Sequence, residues 1–519
     1  MASPYDALQR CFVTTDAQHR QQNAAARAVA GAEVQSDIAD LSGGHGPAAH
    51  ACHIHSRDLP QVCLRSVLAI SLPAIFEQLI QAAIGLTDAL VAGHLPGDER
   101  TVAAASAAVG VMAYLQWMAA ILNVAFGVGA TAIVARSIGA RRPRVANRVA
   151  GTAISSALLV GIAVAILMFT FARGISSAAG LDGLALTYGE RYLRIMTLTI
   201  ALQAAWQIGM ACIRGAGDTV RPMLITAAVV IINVLTSTIF SFGLLGAPKM
   251  GIRGIALGTA MAFLIGGIAT MVLLLGGRSR LKLQWRHFRI VPHILVRLVR
   301  IGLPSWLEGV FLWVGQFLIV IFVITVNDKA VGVSGATMAA HNTVLRIESL
   351  AFLPGFGFGI ACSALVGQYL GARRPLEARE AARMCSRLTI ITMTLLALPM
   401  IFFPHFLLGT MVDADAVVRV GVWPMILAGL AQPGFACAIV YGSALRGAGD
   451  TIRPMMCTIS GTFLVRIPIV ILMLWIFHRM NHPAWGLIAA WIGIFIDLNY
   501  RGLINYLNFR GGKWMLKKV

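Results

Sequence analysis

Charged side chains make up only 12% of this 519-residue chain, against roughly a quarter in soluble proteins. Acids are the scarcer sign, 22 Asp and Glu against 42 Lys and Arg. So little charge does not suit the several soluble domains that length alone would suggest. Other absences narrow the function. The eight cysteines include no C-x-x-C spacing, and Cys212, Cys362, Cys437 and Cys457 fall in or beside apolar runs. Reduced structural thiols are expected, and no metal site or cofactor. There is no H-E-x-x-H cluster and no nucleophile elbow, so neither an embedded enzyme nor a catalytic residue is expected. The formal charge of +20 comes with no reading motif, which argues against a nucleic-acid partner. No compact apolar core follows a basic start, so no cleavable signal peptide is read.

What the chain does have is apolar runs, many of about 20 residues or more, long enough to cross a bilayer as helices. Bounded by charge and Gly/Pro clusters, they give six candidates at 66–93, 103–135, 146–172, 185–213, 222–245 and 252–277. Six more follow at 301–326, 335–367, 379–405, 416–445, 454–477 and 485–508. Residues 1–62 differ, rich in Ala, Gln, His and Arg without apolar periodicity. They read as a disordered tail; His45, His50, Cys52, His53 and His55 cluster there without the spacing of a structural zinc site.

The chain repeats itself. "IRGAGDTVRPM" at 213–223 returns as "LRGAGDTIRPM" at 445–455, and "GARRP" at 139–143 returns at 371–375, both 232 residues on. Gly127 and Gly359 share that offset, and "LPAIFE" at 72–77 matches "LPSWLE" at 303–308. A fixed offset over most of each half indicates internal duplication. Six crossings per repeat return the chain to its starting side, which predicts parallel rather than inverted repeats. The expected fold is an all-α polytopic membrane protein, twelve transmembrane helices in two parallel six-helix repeats around a central cleft. Its parts would be a first lobe, 63–277, a basic linker, 278–300, and a second lobe, 301–519.

The basic residues sit in short loops on one side, about 20 of them in the GARRP loops, the RGAGDT loops and the linker. That side should be cytoplasmic, with both termini inside. In the duplicated phrase, Gly215 and Gly217 allow a sharp reversal, and Asp218 or Thr219 can cap the next helix, whose first turn suits Pro222. Arg214 and Arg221 flank Asp218 and can pair with it. Arg446, Gly447, Gly449, Asp450, Arg453 and Pro454 repeat these roles. The spacing is not that of a phosphate loop, and symmetric duplication suits a hinge or inner gate.

Ionisable groups inside a bilayer are costly, so each is a functional candidate. They are Glu77 and Asp88 in helix 1, Glu308 in helix 7, Glu348 and Arg346 in helix 8, Arg466 in helix 11 and Asp497 in helix 12. Glu77, Gln81 and Asp88 share a helical face, with about 16 Å between the two acids along the axis. That seam should face the protein interior or a water-filled cavity. In a partly dry cleft, Asp88 could trade a proton for a cationic substrate as the lobes tilt. Glu77 and Glu308, each four residues after a proline that would open its helix, could hold the two halves together. Arg346 is expected to neutralise a glutamate. The stretch 188–194, "YGERYLR", is read only as the outer edge of helix 4. Trp117, Met118, Trp206, Met210, Trp306 and Trp313 could line a cavity for organic compounds or anchor at the interface.

Twelve helices in two halves, each with RGAGDT-x-R-P after its fourth helix, resemble the MATE family of multidrug and toxic compound extrusion transporters. "TDALVAGHL", "SALVGQYLGARRP" and "RIPIVILML" are similar too, and "AAHNTVLRIESLAFLPGFGFGIA" looks like the DinF-like prokaryotic branch. The resemblance covers roughly 64–512. It implies a secondary antiporter that exports small organic and often cationic molecules against protons or sodium ions. The expected protein is an inner-membrane antiporter in contact with lipid that works by alternating access, and nothing in the sequence requires more than a monomer. The resemblance also implies that Asp88 matches the aspartate of the family's first helix. Asn233 matches an asparagine of helix 5, but the acid expected four residues later is Ser237, and helix 10 lacks the acid of the NorM-like branch. Both departures weaken a sodium site, which wants several oxygen ligands, and favour protons. The alternative is a lipid-linked oligosaccharide flippase of the wider superfamily, which should line its cavity with arginines.

Overall fold

The computed structural model describes residues 62–96, 98–331, 335–482 and 485–517, except the side chains of 117–120, 122 and 319–331. The tail and its histidines, and the side chains of Trp117 and Met118, lie outside these.

Sixteen α-helices run through the described residues. The first six crossings are α1 (Leu64–Gly93), α2 (Glu99–Gly139), α3 (Pro143–Thr170), the pair α5 (Gly183–Thr197) and α6 (Ile200–Gly215), α7 (Val220–Phe242) and α8 (Ile252–Leu275). The short α4 (Ala172–Ala178) precedes the pair. The second six are α9 (Pro292–Val331), α10 (Ala336–Gly371), α11 (Pro375–Phe402), α13 (Asp415–Gly447), the pair α14 (Ile452–Ser460) and α15 (Ile467–Arg479), and α16 (Gly486–Arg510). The short α12 (Pro404–Gly409) follows α11. Nine spans pass on length and apolarity, and α5–α6, bent by 56°, makes a tenth. With α2 and α9, of 41 and 40 residues, the twelve crossings are complete.

Three local details differ from the sequence reading. Pro73 and Pro304 lie inside α1 and α9 rather than at their starts. The helix over 454–477 contains a π turn, Gly461–Arg466. The fourth crossing breaks at Leu198–Thr199, where Thr197 Oγ1 and Thr199 Oγ1 donate to the carbonyls of Arg194 and Met196. Such back-bonding offers the chain an alternative to the helical ladder.

The duplicated turns form as expected. Gly217 and Gly449 take φ of 87° and 82°, values that favour glycine. Asp218 Oδ1 accepts from the Arg221 backbone N–H at 3.2 Å, while its other oxygen pairs with the Arg221 guanidinium. Asp450 likewise pairs with Arg453 at 2.7 Å.

The halves interlock at the end that carries these basic turns. Val67 of α1 belongs to a core with Phe358, Tyr369 and Leu445 of the second half. Its repeat equivalent, Leu298 of α9, belongs to the core of the first half. Glycines make the approach possible. A Cβ on Gly139 would lie 2.0 Å from the Gln368 carbonyl oxygen, and one on Gly371 2.1 Å from that of Arg136. These contacts are each other's equivalents at offset 232. A Cβ on Gly302 would fall 1.5 Å from the Ala125 carbonyl oxygen. We expect Gly139→Ala to cost the closed arrangement about 1–3 kcal/mol through overpacking. Spin labels on the two GARRP turns should then report a longer distance, and an unchanged distribution would remove these glycines from any gate.

Away from the basic end the halves part. Gly357 of α10 abuts Ile75 of α1, its Cβ position 2.6 Å from the Ile75 Cα. Further out on that face of α1, Leu79, Leu86 and Leu90 are exposed. On the matching face of α10, Leu350 and Arg346 are exposed. We read two helices that touch at one end and are bare on these faces at the other as the walls of a cleft.

Candidate functional site

Helix α1 carries two stripes. Ile75, Leu79, Leu86 and Leu90 follow the cleft side. Glu77, Gln81 and Asp88 follow another, Asp88 lying about 140° around the helix from Ile75 at 100° per residue. Glu77 and Asp88 are both buried, as the shared seam requires. Asp88 therefore points away from the cleft, into the first six-helix bundle. This corrects the expectation that it sits between the lobes and changes partners as they tilt.

Inside the bundle the Asp88 carboxylate meets only neutral groups among the described residues. Tyr192 Oη of α5 donates to Oδ2 at 3.1 Å. Thr259 Oγ1 of α8 lies 2.9 and 3.1 Å from the two oxygens. Asn233 Nδ2 of α7 reaches Oδ1 at 3.5 Å and Thr259 at 2.9 Å, with Ser237 Oγ 3.4 Å away. Gln116 Nε2 of α2 donates to Tyr192 Oη at 3.4 Å. The Asn233 Oδ1 is buried without a hydrogen-bond partner, an acceptor left over. Gly258 lets α8 come close here, since a Cβ there would lie 2.3 Å from Ser237 Oγ.

Two of the direct partners of Asp88 escaped sequence reasoning. Tyr192 lies in the stretch read as a mere edge, and Thr259 drew no notice. A buried tyrosine hydroxyl needs a hydrogen-bond partner, but the charges of "YGERYLR" gave no sign in the sequence that Tyr192 is buried. Of the residues proposed for the site, Asp88 and Asn233 meet; Gln81 shares the seam but makes no hydrogen bond to them.

The other acids are arranged differently. Arg214 Nη1 pairs with Glu77 Oε1 at 2.5 Å, and Thr226 Oγ1 stands 3.5 Å from the same oxygen. Arg446 Nη1 pairs with Glu308 Oε2 at 3.1 Å, and Thr458 Oγ1 donates to Oε1 at 2.9 Å. One trio is built twice, each within its own half. Glu77 and Glu308 thus fasten helices inside a half and do not hold the halves together. Arg214 and Arg446 serve these glutamates, leaving Arg221 and Arg453 to the turn aspartates.

The second half has its own buried polar network. Asp497 of α16 accepts from Arg466 Nη2 at 2.7 Å and from Arg501 Nε and Nη2 at 2.6 and 2.5 Å. Arg466 Nη1 also reaches Gln316 Oε1 at 3.2 Å, and Gln316 Nε2 lies 3.3 Å from His341 Nε2. Glu348 Oε1 accepts from Gln432 Nε2 at 3.2 Å. Arg346 does not neutralise it: two positions away on α10 means about 200° around the helix, and Arg346 is exposed. Of the cavity candidates, Trp206 and Met210 are buried in the first-half core, and the Trp313 ring meets that of Tyr114 edge-on at 5.8 Å.

Comparison with known proteins agrees on the architecture. The family model described as MatE matches residues 73–239 and 304–472, one stretch in each repeat. The probable multidrug resistance protein NorM of Thermotoga maritima is 25% identical over 470 residues, covering 90% of this chain and 96% of that protein. The multidrug resistance protein MdtK of Yersinia pestis is 24% identical, covering 88% and 96%. A solved structure described as the outward-facing conformation of a multidrug resistance MATE family transporter of the MOP superfamily superposes with a TM-score of 0.77. It shares 21% identity and covers 88% of this chain and 97% of that one.

Proposed function

Because the chain belongs to the MatE family, a family of membrane transporters and not enzymes, we propose that it is a multidrug exporter driven by an ion gradient through Asp88. The segments 63–277 and 301–519 act as two lobes, and the basic end faces the cytoplasm with both termini. The molecule is then closed inside and open outside. A single chain carries the whole transport unit.

The observation that carries the reading is the company Asp88 keeps. It is a buried carboxylate among hydroxyl and amide groups, with no Lys, Arg or His within ion-pair distance among the described residues. Glu77, Glu308 and Asp497 are held by arginines and so are poor carriers. Protonation removes the charge of Asp88 and lets its hydroxyl donate to a neighbour. The first lobe then repacks around a neutral group, which is how an ion can bias a two-state transporter. Protons are favoured over sodium because Ser237 stands where a second acid would complete a cation site. Inverted vesicles should accumulate a fluorescent substrate from the bath under a pH gradient alone and not under a sodium gradient alone. Export under sodium alone would reverse the assignment.

A further inference from the structure

The cleft wall carries a fixed charge of the same sign as the family's usual cationic cargo. Arg346 lies on α10, eleven residues outward from Gly357, which places both on one helical face, about 20° apart. Gly357 touches Ile75 of α1, so this face looks toward the first lobe. Leu350, between them, is 57% exposed, and Arg346 is exposed too. The guanidinium pairs with no acid and donates no hydrogen bond among the described residues. An arginine at that depth is tolerated where it faces a water-filled cavity.

The acids of the membrane region are all turned elsewhere. Asp88 points into the first bundle, and Glu348 toward Gln432. Glu77, Glu308 and Asp497 are bound by arginines. On the four wall helices α1, α2, α9 and α10, away from the basic end where Arg297 and Arg300 lie near the start of α9, Arg346 is the exposed ionic group between the helix ends among the described residues. Its repeat equivalent, 232 residues earlier, is Tyr114 of α2, itself 52% exposed. The repeat axis thus sets an aromatic ring on one seam and an unpaired guanidinium on the other.

Resting on the transport reading above, we propose that the cleft recognises organic compounds bearing an anionic group on an apolar aromatic body, as anions or zwitterions, with Arg346 receiving the anion. A guanidinium offers a planar fork matched to carboxylate or sulfonate oxygens, and one already unpaired has no partner to give up on binding. The apolar stripe of α1 and the Tyr114 ring suit the body of such a compound.

A matched probe pair tests this: a zwitterionic rhodamine with a free carboxylate, and its ethyl ester, a plain cation of the same body. The wild-type protein should bind and export the zwitterion in preference. Arg346→Ala should cut that preference by about tenfold or more, in line with hydrogen bonds to charged groups. Arg346→Lys should keep part of it, and Arg346→Glu should favour the ester. Wild-type protein that takes the ester as well as the zwitterion overturns the proposal, as does an unchanged ratio in folded, active Arg346→Ala and Arg346→Glu. Failure of the coupling reading is distinguishable, because it alters the gradient dependence of both probes alike and leaves their ratio intact.

Discussion

Asp88→Asn is expected to abolish gradient-driven export while leaving the protein folded. Asparagine is nearly isosteric with the protonated acid, and its amide can still hydrogen-bond to Tyr192, Asn233 and Thr259, the groups that surround Asp88. What it lacks is a second charge state. A transporter whose first lobe senses the ion through this side chain would be held in one of its two arrangements. A ligand or proton can shift an equilibrium only through differential interaction with the two states, and an amide that never titrates offers none. Uphill export in inverted vesicles should drop to the background of vesicles without the protein, whereas equilibrium binding of substrate in detergent should persist. Asp88→Glu keeps the titratable group and should retain some export. Full export by the asparagine variant would remove Asp88 from the mechanism. The architecture would survive, and another carrier would have to be sought, with Glu348 first in line because it too has no arginine in ion-pair contact among the described residues.

The fold was largely legible because duplication is a sequence-level signal. An offset of 232 placed Arg214 with Arg446 and Asp218 with Asp450, and the structure gives each pair the same partners twice. Less legible was rotation about helix axes. Arg346 and Glu348 look alike in sequence, two ionisable groups in one apolar run. Only packing of α10 against α1 and α13 decides that one faces the cleft and the other Gln432. The same holds for Asp88, whose seam was evident but whose direction was not. Tyr192 was missed for a further reason. Its hydroxyl reaches Asp88 from α5, the half of the fourth crossing that lies at an angle of 56° to α6, the break falling seven residues further on at Thr199. No periodicity of the sequence announces that angle.

The largest effect on stability is expected at Asp497. Its carboxylate is fully buried and takes three hydrogen bonds from two guanidinium groups, Arg466 and Arg501, that are themselves buried. Asp497→Asn keeps the size but leaves two positive charges facing each other without an acid between them. Breaking a buried ion pair from one side costs about 3–5 kcal/mol, because the orphaned charge stays desolvated. The variant should therefore melt well below the wild type in detergent and give little monodisperse protein. Thr462 Oγ1, which accepts from Arg501 Nη2 at 2.8 Å, cannot substitute for a carboxylate. The sign of the effect should reverse when the whole network is removed. Replacing Arg466, Asp497 and Arg501 together by Met, Leu and Met exchanges three desolvated charges for apolar packing, and that triple variant should recover most of the lost melting temperature. If it melts as low as Asp497→Asn, the π turn at Gly461–Arg466 depends on the charges for its geometry, and the network shapes the second lobe as well as stabilising it. If Asp497→Asn melts with the wild type, one arginine leaves the bundle on losing its acid, and the second lobe is less rigid there than its packing indicates.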